Sequence, residues 1–521
     1  MAAFFNALSW IVLIPIWQYP DEQAHFAQVQ TIAEFGTISF LDPNTSLEID
    51  FTENVFGTKR DESGNNKHTY HPEFRIAYSD NYYGPQESKI ANLSKSARIQ
   101  LVKNEATVNP PLYYFLGSLT YQLFTNGSLF TRVYAVRFIS LIFFLATIFL
   151  SYQFAKIVFE KSQILQIALP TLVAFKPMLI FSSTGVLPDS LTNLLFTAVL
   201  LLSLKVLKIG FKLRYGVILG LLVVLGTLTR QQFLISFFII AFPIFYLIFK
   251  NYSHIKLYFS FLISIVTFSS LFLINRFGTS IPIISNFRLH ELTLSDLRFS
   301  SQIGFDPIIW SFKHTLAQTL PWYWGVYKWL SLTLPPVTYQ IINRLLAIGL
   351  IGVLLKLIDI FRNQKKSQDI RLILFLIYSS IVYFLILIIW DYFFYLKYGY
   401  HFGIQGRYFF PLVVFHIAIL VIGIWQVFEL VFKKYARYGL SIVLFLMVLF
   451  NDISLFYVAA SYYDTSSFNR FIIQASQYKP EIFKGTILVF ILSSTILLQA
   501  ILFFKLTKTF LKTDLAEEKI R

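Results

Sequence analysis

Long apolar runs separated by short polar connections dominate this chain. Each run is about 17–25 residues long, the length an α-helix needs to cross a hydrocarbon layer about 30 Å thick. The pattern predicts an all-α polytopic membrane protein with about twelve transmembrane helices. These lie near 2–19, 130–154, 163–182, 188–207, 213–229, 232–249, 257–275, 340–361, 371–392, 409–431, 438–458 and 484–506. We expect residues 1–510 to form one membrane domain, followed by a cytoplasmic tail at 511–521, and the first run to be retained rather than cleaved.

Two long connections interrupt the apolar runs on the same predicted side of the membrane, at 20–129 and 276–339. The first contains NPPLYYFLGSLTYQLF at 109–124, which is apolar but too short to cross the membrane alone. We therefore expect this extracytoplasmic loop to carry amphipathic helices that lie at the interface. The second loop contains PWYWGVYKW at 321–329, which we expect to lie flat on the membrane surface.

Composition supports a membrane protein and explains the basic charge. The chain is 56% hydrophobic and 14% charged, whereas soluble domains are about 25% charged. The net charge of +16 could suggest a nucleic-acid partner. However, lysine and arginine concentrate in the connections that are cytoplasmic if the amino terminus is inside, as the positive-inside rule requires. The charge thus reflects topology, and we expect no nucleic acid as a partner. The chain has no cysteine, which excludes disulfides and thiolate metal sites.

Ionisable residues gather at the predicted outer ends of the spans. They are Asp21, Glu22, His25, Asp189, Arg230, Arg276, Asp391 and Arg407. Such groups are costly near hydrocarbon and usually functional. A transporter more often places its coupling groups near the midplane of broken helices. The location of these ionisable residues at a single outer rim instead favours an enzyme that works at the membrane surface.

The stretch YPDEQAHF at 19–26 has two interpretations. Asp21 and Glu22 would suit the positive end of a helix that begins near Pro20, as a stabilising cap. A carboxylate held at the interface beside His25 is equally well placed to take a proton from a hydroxyl group. Spacing alone does not decide between the two.

The other candidates have similar pairs of interpretations. Lys176 lies inside the third predicted span and must snorkel or pair with a lipid headgroup or a carboxylate. Asp189 is either a helix cap or a site residue. Arg407 either snorkels to the interface or binds a phosphate with two parallel hydrogen bonds from its guanidinium. Tyr408 and Tyr113 are either interfacial aromatic residues or ligands of a substrate.

Four motifs occur in a characteristic order: PDEQAH at 20–25, NPPLYYFLG at 109–117, SSTGVLPDSL at 182–191 and QGRYFFP at 405–411. Together with the order of the spans, they resemble the membrane-embedded glycosyltransferases of the C superfold (GT-C). The closest resemblance is to a bacterial family of polytopic membrane proteins, DUF2142. It extends from residue 1 to about 411.

This resemblance implies an inverting glycosyltransferase at the extracytoplasmic face of a bacterial plasma membrane. The donor would be a polyprenyl-phosphate sugar, the acceptor a hydroxyl group on a glycan or lipid of the cell envelope, and the surroundings membrane lipids. Asp21 is then the expected catalytic base with Glu22 as its neighbour, Arg407 contacts the donor phosphate, and Asp189 orients the acceptor or a cation. The substrate-binding candidates are His25, Tyr113, Lys176, Asp189, Arg230, Arg407 and Tyr408. A divalent cation, Mg or Mn, is used by some relatives and not by others, and the sequence identifies no metal ligands.

Two alternatives remain from the sequence. A transporter or flippase of lipid-linked sugars would share the spans and the basic inner connections, but it would favour midplane charges and an internal repeat. A polysaccharide polymerase or ligase would also transfer sugars, relying chiefly on arginines and histidines of the outer loops.

Overall fold

Helices make up most of the described chain, as the apolar runs predict. The computed structural model describes residues 1–36, 44–59, 83–103, 110–249, 305–363 and 367–518. The first half contains α1 (Ala2–Leu13), α2 (Glu22–Phe35), α3 (Leu47–Phe56), α4 (Tyr83–Ala91), α5 (Ser96–Ile99), α6 (Leu112–Leu123), α7 (Leu129–Val158), α8 (Gln163–Ala174), α9 (Pro177–Thr184), α10 (Asp189–Ile209), α11 (Leu213–Thr227) and α12 (Ser236–Phe249). The second half contains α13 (Phe305–His314), α14 (Leu320–Trp324), α15 (Pro336–Asn363), α16 (Ser367–Tyr398), α17 (Val413–Phe432), α18 (Ala436–Ala460), α19 (Phe468–Ala475) and α20 (Gly485–Glu518).

Short elements complete the fold. Strand β1 (Asn44–Ser46) pairs antiparallel with β2 (Leu101–Lys103), and β3 (Val326–Tyr327) pairs antiparallel with β4 (Leu332–Thr333). A π-turn joins α13 to α14 at Thr315–Thr319. The 3-10 turns are Gln231–Ile235, Gly406–Leu412, Lys433–Tyr435 and Glu481–Phe483. Two of these, Gln231–Ile235 and Gly406–Leu412, lie beside the candidate site described below.

Seven described helices are long and apolar enough to cross a membrane. They are α7, α10, α15, α16, α17 with its preceding 3-10 turn, α18 and α20. The pair α8 and α9 is bent by 56° and forms either a broken eighth span or a re-entrant loop. The break falls before Pro177, which has no N–H to continue the helix. Three shorter apolar helices, α1, α11 and the stretch Gln231–Leu247, coincide with further predicted spans.

Two parts of the predicted topology remain untested. The predicted span at 257–275 and Arg276 lie outside the described residues, so the count of twelve spans stays a prediction. Helix α20 continues through residue 518, so most of the residues of the expected tail at 511–521 belong to this last helix.

The first long loop folds against the membrane helices. It contains α2 to α6 and the β1–β2 pair, and α6 is the predicted short apolar helix in 109–124. A buried ion pair fixes the loop to α7, because Arg132 donates to the Glu48 carboxylate at 2.5 Å. Tyr121 on α6 accepts a second hydrogen bond from Arg132 at 2.6 Å. Since both charged side chains are buried, the loop is an integral part of the protein core.

The second long loop is described only from residue 305, and it corrects one expectation. The segment PWYWGVYKW does not lie flat on a surface, since Tyr323, Trp324 and Tyr327 are buried. It folds as α14 and the β3–β4 hairpin, and α14 packs against α9 and the 3-10 turn Gly406–Leu412. Aromatic residues that appear suited to the interface are here part of the core, and a buried lysine packs on the faces of Tyr323 and Trp324, as described below.

Candidate active site

Two aspartates and two arginines from four separate parts of the chain meet at one rim of the helical domain. Arg407 Nη2 lies 3.3 Å from Asp21 Oδ2, and Arg407 Nη1 lies 3.8 Å from Asp189 Oδ2. Arg230 donates a hydrogen bond to the other oxygen of Asp189. All four are sequence-predicted candidates, and the fold brings them into one charge-balanced cluster, which we call the rim cluster.

Asp21 reaches the cluster through an unusual backbone conformation. It immediately precedes α2 with φ 56° and ψ 19°, a left-handed conformation that few residues other than glycine adopt, although aspartate tolerates it. Its side chain makes no capping hydrogen bond. Asp21 therefore occupies the cap position that the first interpretation gives it, but without the side-chain hydrogen bond of a cap. The carboxylate faces Arg407 and is 23% exposed, so that a substrate can reach it.

Asp189 also lies at the start of a helix. It is the first residue of α10 and follows Pro188, which occupies the N-cap position. Its buried carboxylate pairs with Arg230. Asp189 therefore lies at the positive end of its helix and is also paired with a guanidinium from a distant segment.

The two residues that precede Arg407 in the chain hold it in place. Its Nε donates to Gln405 Oε1 at 2.9 Å. The preceding Gly406 lies so close to the backbone of Trp322 and Tyr323 that a Cβ atom would overlap it. The guanidinium is 5% exposed. A charge placed so deeply requires compensation, which the two aspartates provide.

The aromatic ring of Tyr408 lies beside both guanidiniums of the rim cluster. Its centroid is 5.6 Å from Arg407 and 5.8 Å from Arg230. Its carbonyl oxygen accepts hydrogen bonds from Gln232 at 2.7 Å and from the Tyr383 hydroxyl at 3.0 Å. The Tyr408 ring thus contacts both arginines by cation–π interaction. Its carbonyl fixes the backbone at this position through two hydrogen bonds.

Two buried atoms of the rim cluster lack a hydrogen-bond partner in the part of the chain that the structure describes. They are Arg407 Nη1 and Asp189 Oδ2, which face each other beyond hydrogen-bonding distance. Leaving such groups unsatisfied costs about 1–3 kcal/mol each. Elsewhere in native proteins nearly all such atoms have partners. A bound group that both accepts and donates hydrogen bonds would satisfy both.

Glu22 has different surroundings from its neighbour Asp21. Arg137 from α7 binds its carboxylate with two parallel bonds of 2.6 and 2.8 Å, and both side chains are fully buried. The same carboxylate accepts backbone N–H groups of Trp17 at 3.0 Å and Val186 at 3.1 Å. Its oxygens are therefore occupied by donors from three segments, an arrangement that fixes structure rather than one that takes a proton.

Arg137 was not a candidate in the sequence analysis, although a signal was present. It lies within the predicted span 130–154, where an arginine needs a partner. Its guanidinium also donates to the carbonyl oxygens of Ile11, Ile14 and Pro15, at 3.1, 2.8 and 2.8 Å. The arginine therefore joins α7 to the segment after α1, from which Asp21 follows directly.

Two predicted substrate ligands are instead core residues. His25 is buried, and its Nδ1 lies 2.8 Å from the Tyr114 hydroxyl. The Tyr113 hydroxyl lies 2.8 Å from Ser140 Oγ, and the ring has no exposed surface. Burial raises the pKa of the Tyr113 phenol above its ordinary value. In this structure neither side chain offers a surface to a substrate.

Lys176 is enclosed by aromatic rings and not by charges. Its Nζ lies 3.8 Å from the ring centroid of Tyr323, 4.2 Å from that of Trp324 and 5.0 Å from that of Phe410. It donates to the Tyr323 carbonyl. No described carboxylate lies within ion-pair distance, and the side chain is fully buried, which corrects the expectation of a lipid headgroup or carboxylate partner. Cation–π contacts and one carbonyl stabilise it instead.

The residues of the rim cluster do not fit a divalent cation in this arrangement. Mg and Mn prefer several carboxylate or carbonyl oxygens, whereas Asp21 and Asp189 each face a guanidinium. Across the described ranges, no group of three or more His, Asp or Glu residues could hold a metal. The positive charge at this rim comes from Arg230 and Arg407.

These features define a polytopic membrane protein with a buried ionic cluster at one rim. The chain matches the family described as "Predicted membrane protein (DUF2142)" over residues 4–416. It therefore belongs to the DUF2142 family. A search of curated proteins finds no match.

Among solved structures, the chain shows distant likeness to two membrane enzymes. One is the oligosaccharyltransferase AglB of Archaeoglobus fulgidus, in complex with an inhibitory peptide and a dolichol-phosphate, at 14% identity and a TM-score of 0.46. That match covers 88% of this chain and 55% of AglB, so the chain spans little more than half of that enzyme. The other is ArnT of Cupriavidus metallidurans in the apo state, at 10% identity and a TM-score of 0.42, covering 90% of this chain and 75% of ArnT. Likeness at this level establishes neither activity nor substrate.

Proposed function

We propose that this protein is a membrane glycosyltransferase of the GT-C type at the extracytoplasmic face of a bacterial plasma membrane. It would transfer a sugar from a polyprenyl-phosphate donor to a hydroxyl group of a cell-envelope glycan or lipid. The observation that carries the proposal is the rim cluster, in which a reachable carboxylate lies beside a guanidinium with an unsatisfied N–H. A glycosyl transfer to a hydroxyl group needs both a base and a cation for the leaving phosphate.

The proposed reaction assigns each charge a role. Asp21 accepts the proton of the acceptor hydroxyl as that oxygen forms a bond to the anomeric carbon. The bond from this carbon to the phosphate oxygen breaks on the opposite face, which inverts the configuration. Polyprenyl phosphate leaves with the bonding electrons, and the guanidiniums of Arg407 and Arg230 stabilise its negative charge. Glu22 is assigned a structural role.

Arg407 has to exchange partners during this reaction. Without donor, its Nη2 is engaged with Asp21 at 3.3 Å, a long contact for a charged pair. A phosphate that binds Arg407 competes with this contact and leaves Asp21 available to the acceptor hydroxyl. Donor binding would thus prepare the base by releasing it from its ion pair with Arg407 when a sugar is present to be transferred.

Replacing Arg407 by lysine tests the proposed phosphate contact. Lysine keeps the charge but loses the planar fork, and hydrogen bonds to charged groups contribute about 1.5–3 kcal/mol. We expect kcat/KM for a polyprenyl-phosphate sugar to fall about 10- to 100-fold, measured as transfer of radiolabelled sugar in proteoliposomes. Arg470→Lys is the matched control, since Arg470 is exposed and pairs with Asp464 at the surface. Equal losses in the two variants would remove Arg407 from the donor site.

Chelation tests whether the arginines replace a metal ion. Because both aspartates of the rim cluster face guanidiniums, we expect transfer to continue unchanged after dialysis against EDTA. Added Mg or Mn should then give no stimulation. A loss of activity in EDTA that Mg or Mn restores would show that the cluster rearranges around a cation during the reaction.

A further inference from the structure

Asp391 lies outside the rim cluster, yet its carboxylate organises the segment that leads into it. We infer that Asp391 is a positioning residue that sets the orientation of Arg407 through the loop between α16 and Gly406. The inference rests on the proposed function, since it assigns a further residue to the same reaction. Three sets of contacts carry it.

The first set joins Asp391 to the backbone of the loop. The buried Asp391 carboxylate lies near the end of α16. Its Oδ1 accepts the backbone N–H of Phe402 at 2.9 Å and that of Gly403 at 3.3 Å. Gly403 has φ 80°, a left-handed conformation that suits glycine. One carboxylate oxygen thus fixes two consecutive peptide groups only a few residues before Arg407.

The second set holds the other carboxylate oxygen. Asp391 Oδ2 accepts the Ser311 hydroxyl from α13 at 2.6 Å and lies 2.9 Å from His401 Nδ1. The His401 ring stacks between Trp310 and Tyr395, with centroids 4.0 and 4.6 Å away. The carboxylate therefore ties together α13, α16 and the loop, and the stacked rings prevent the histidine from turning.

The third set continues from the fixed loop to the guanidinium. Thr319 donates to the Ile404 carbonyl at 2.9 Å, and Gln405 accepts from Arg407 Nε. Gly406 packs against the backbone of α14. Each residue from Phe402 to Arg407 is therefore contacted by a neighbouring element or by another residue of the loop. A loop restrained in this way transmits a displacement at residues 402–403 to Arg407, and a shift of about 1 Å in a reacting geometry can cost on the order of a hundredfold in rate.

The test uses Asp391→Ala together with Asp391→Asn. Alanine removes both oxygens, whereas asparagine retains Oδ1 as an acceptor for the two backbone N–H groups. We expect kcat/KM for a polyprenyl-phosphate sugar to fall on the order of 10- to 100-fold in Asp391→Ala. Asp391→Asn should recover most of this loss. Ser311→Ala is the matched control, since it removes one bond to Oδ2 and a contact with His401 Nδ1 but none to the backbone of the loop, and it should remain within about threefold of wild type.

Combining Asp391→Ala with Arg407→Lys shows whether Asp391 acts through Arg407. If it does, the double variant loses no more activity than the more impaired single variant, because the positioned group is already altered. Losses that multiply, or a loss in Asp391→Asn as large as in Asp391→Ala, would overturn the inference. If Asp391→Ala does not fold, judged by gel filtration and thermal unfolding, Asp391→Glu takes its place in the cycle. Absence of transfer by wild-type protein would instead reject the proposed function, while a wild-type level in Asp391→Ala would reject only the positioning role.

Discussion

Replacing Asp21 by asparagine is expected to lower sugar transfer about 10²- to 10⁴-fold, the usual contribution of a general base. Asparagine has nearly the same shape but cannot accept the acceptor's proton. The measurement is kcat for transfer from a polyprenyl-phosphate donor by purified protein in proteoliposomes. Asp464→Asn is a suitable control, because Asp464 is a partly exposed aspartate that pairs with Arg470 at the surface, not with a residue of the rim cluster.

Donor binding distinguishes loss of the base from loss of the site. In the proposed reaction, the Asp21 carboxylate, which pairs with Arg407, competes with the donor phosphate for this arginine. Asp21→Asn removes this competing charge, so we expect the donor Kd to stay unchanged or to decrease while kcat falls. A variant that transfers at the wild-type rate would show that Asp21 is not the base. A variant that no longer binds donor would show that Asp21 acts in binding instead.

Replacing Arg137 by alanine is expected to destabilise the fold by about 3–5 kcal/mol, the cost of leaving a buried partner charge uncompensated. The substitution leaves Glu22 without its two strongest hydrogen bonds, and three backbone carbonyls lose their donor. The expected result is a large drop in the thermal unfolding midpoint in detergent, or failure to accumulate in the membrane. Arg470→Ala, which breaks an exposed pair, should change stability by no more than about 1 kcal/mol.

Glu22→Gln separates the two adjacent carboxylates. Since Glu22 is buried against Arg137, we expect this variant to lose stability together with activity. Asp21→Asn, in contrast, should lower the unfolding midpoint much less, because Asp21 is 23% exposed and Arg407 still has Asp189 beside it. The assignment of roles would be reversed if Glu22→Gln unfolded like wild type and yet transferred no sugar.

The sequence predicts the helical architecture and much of the rim cluster. Apolar runs of spanning length are a local property, and most of the predicted spans that lie in described residues appear as helices. The cluster was predictable because charges near hydrocarbon are costly and span order places their ends on a common side. Asp21, Asp189, Arg230 and Arg407 could therefore be grouped together without knowledge of any contact.

The partners of these charges depended on tertiary packing and could not be predicted in the same way. Asp21 and Glu22 are adjacent, and nothing in YPDEQAHF shows that one faces Arg407 and the other Arg137. Asp21 has a left-handed backbone conformation, which its sequence neighbours do not indicate. Lys176 is a similar case, because its aromatic surroundings come from α14 and the 3-10 turn Gly406–Leu412, both distant in sequence.

Sugar transfer by the purified protein is the most direct test of the proposal. The protein is reconstituted in proteoliposomes with a polyprenyl-phosphate donor carrying a radiolabelled sugar and with extracts of envelope glycans and lipids as acceptors. We expect label to move from the donor to an acceptor, with release of polyprenyl phosphate, and to remain on the donor in Asp21→Asn. Movement of intact lipid-linked sugar between leaflets, with no label transferred by wild type, would contradict the proposed function and favour a flippase.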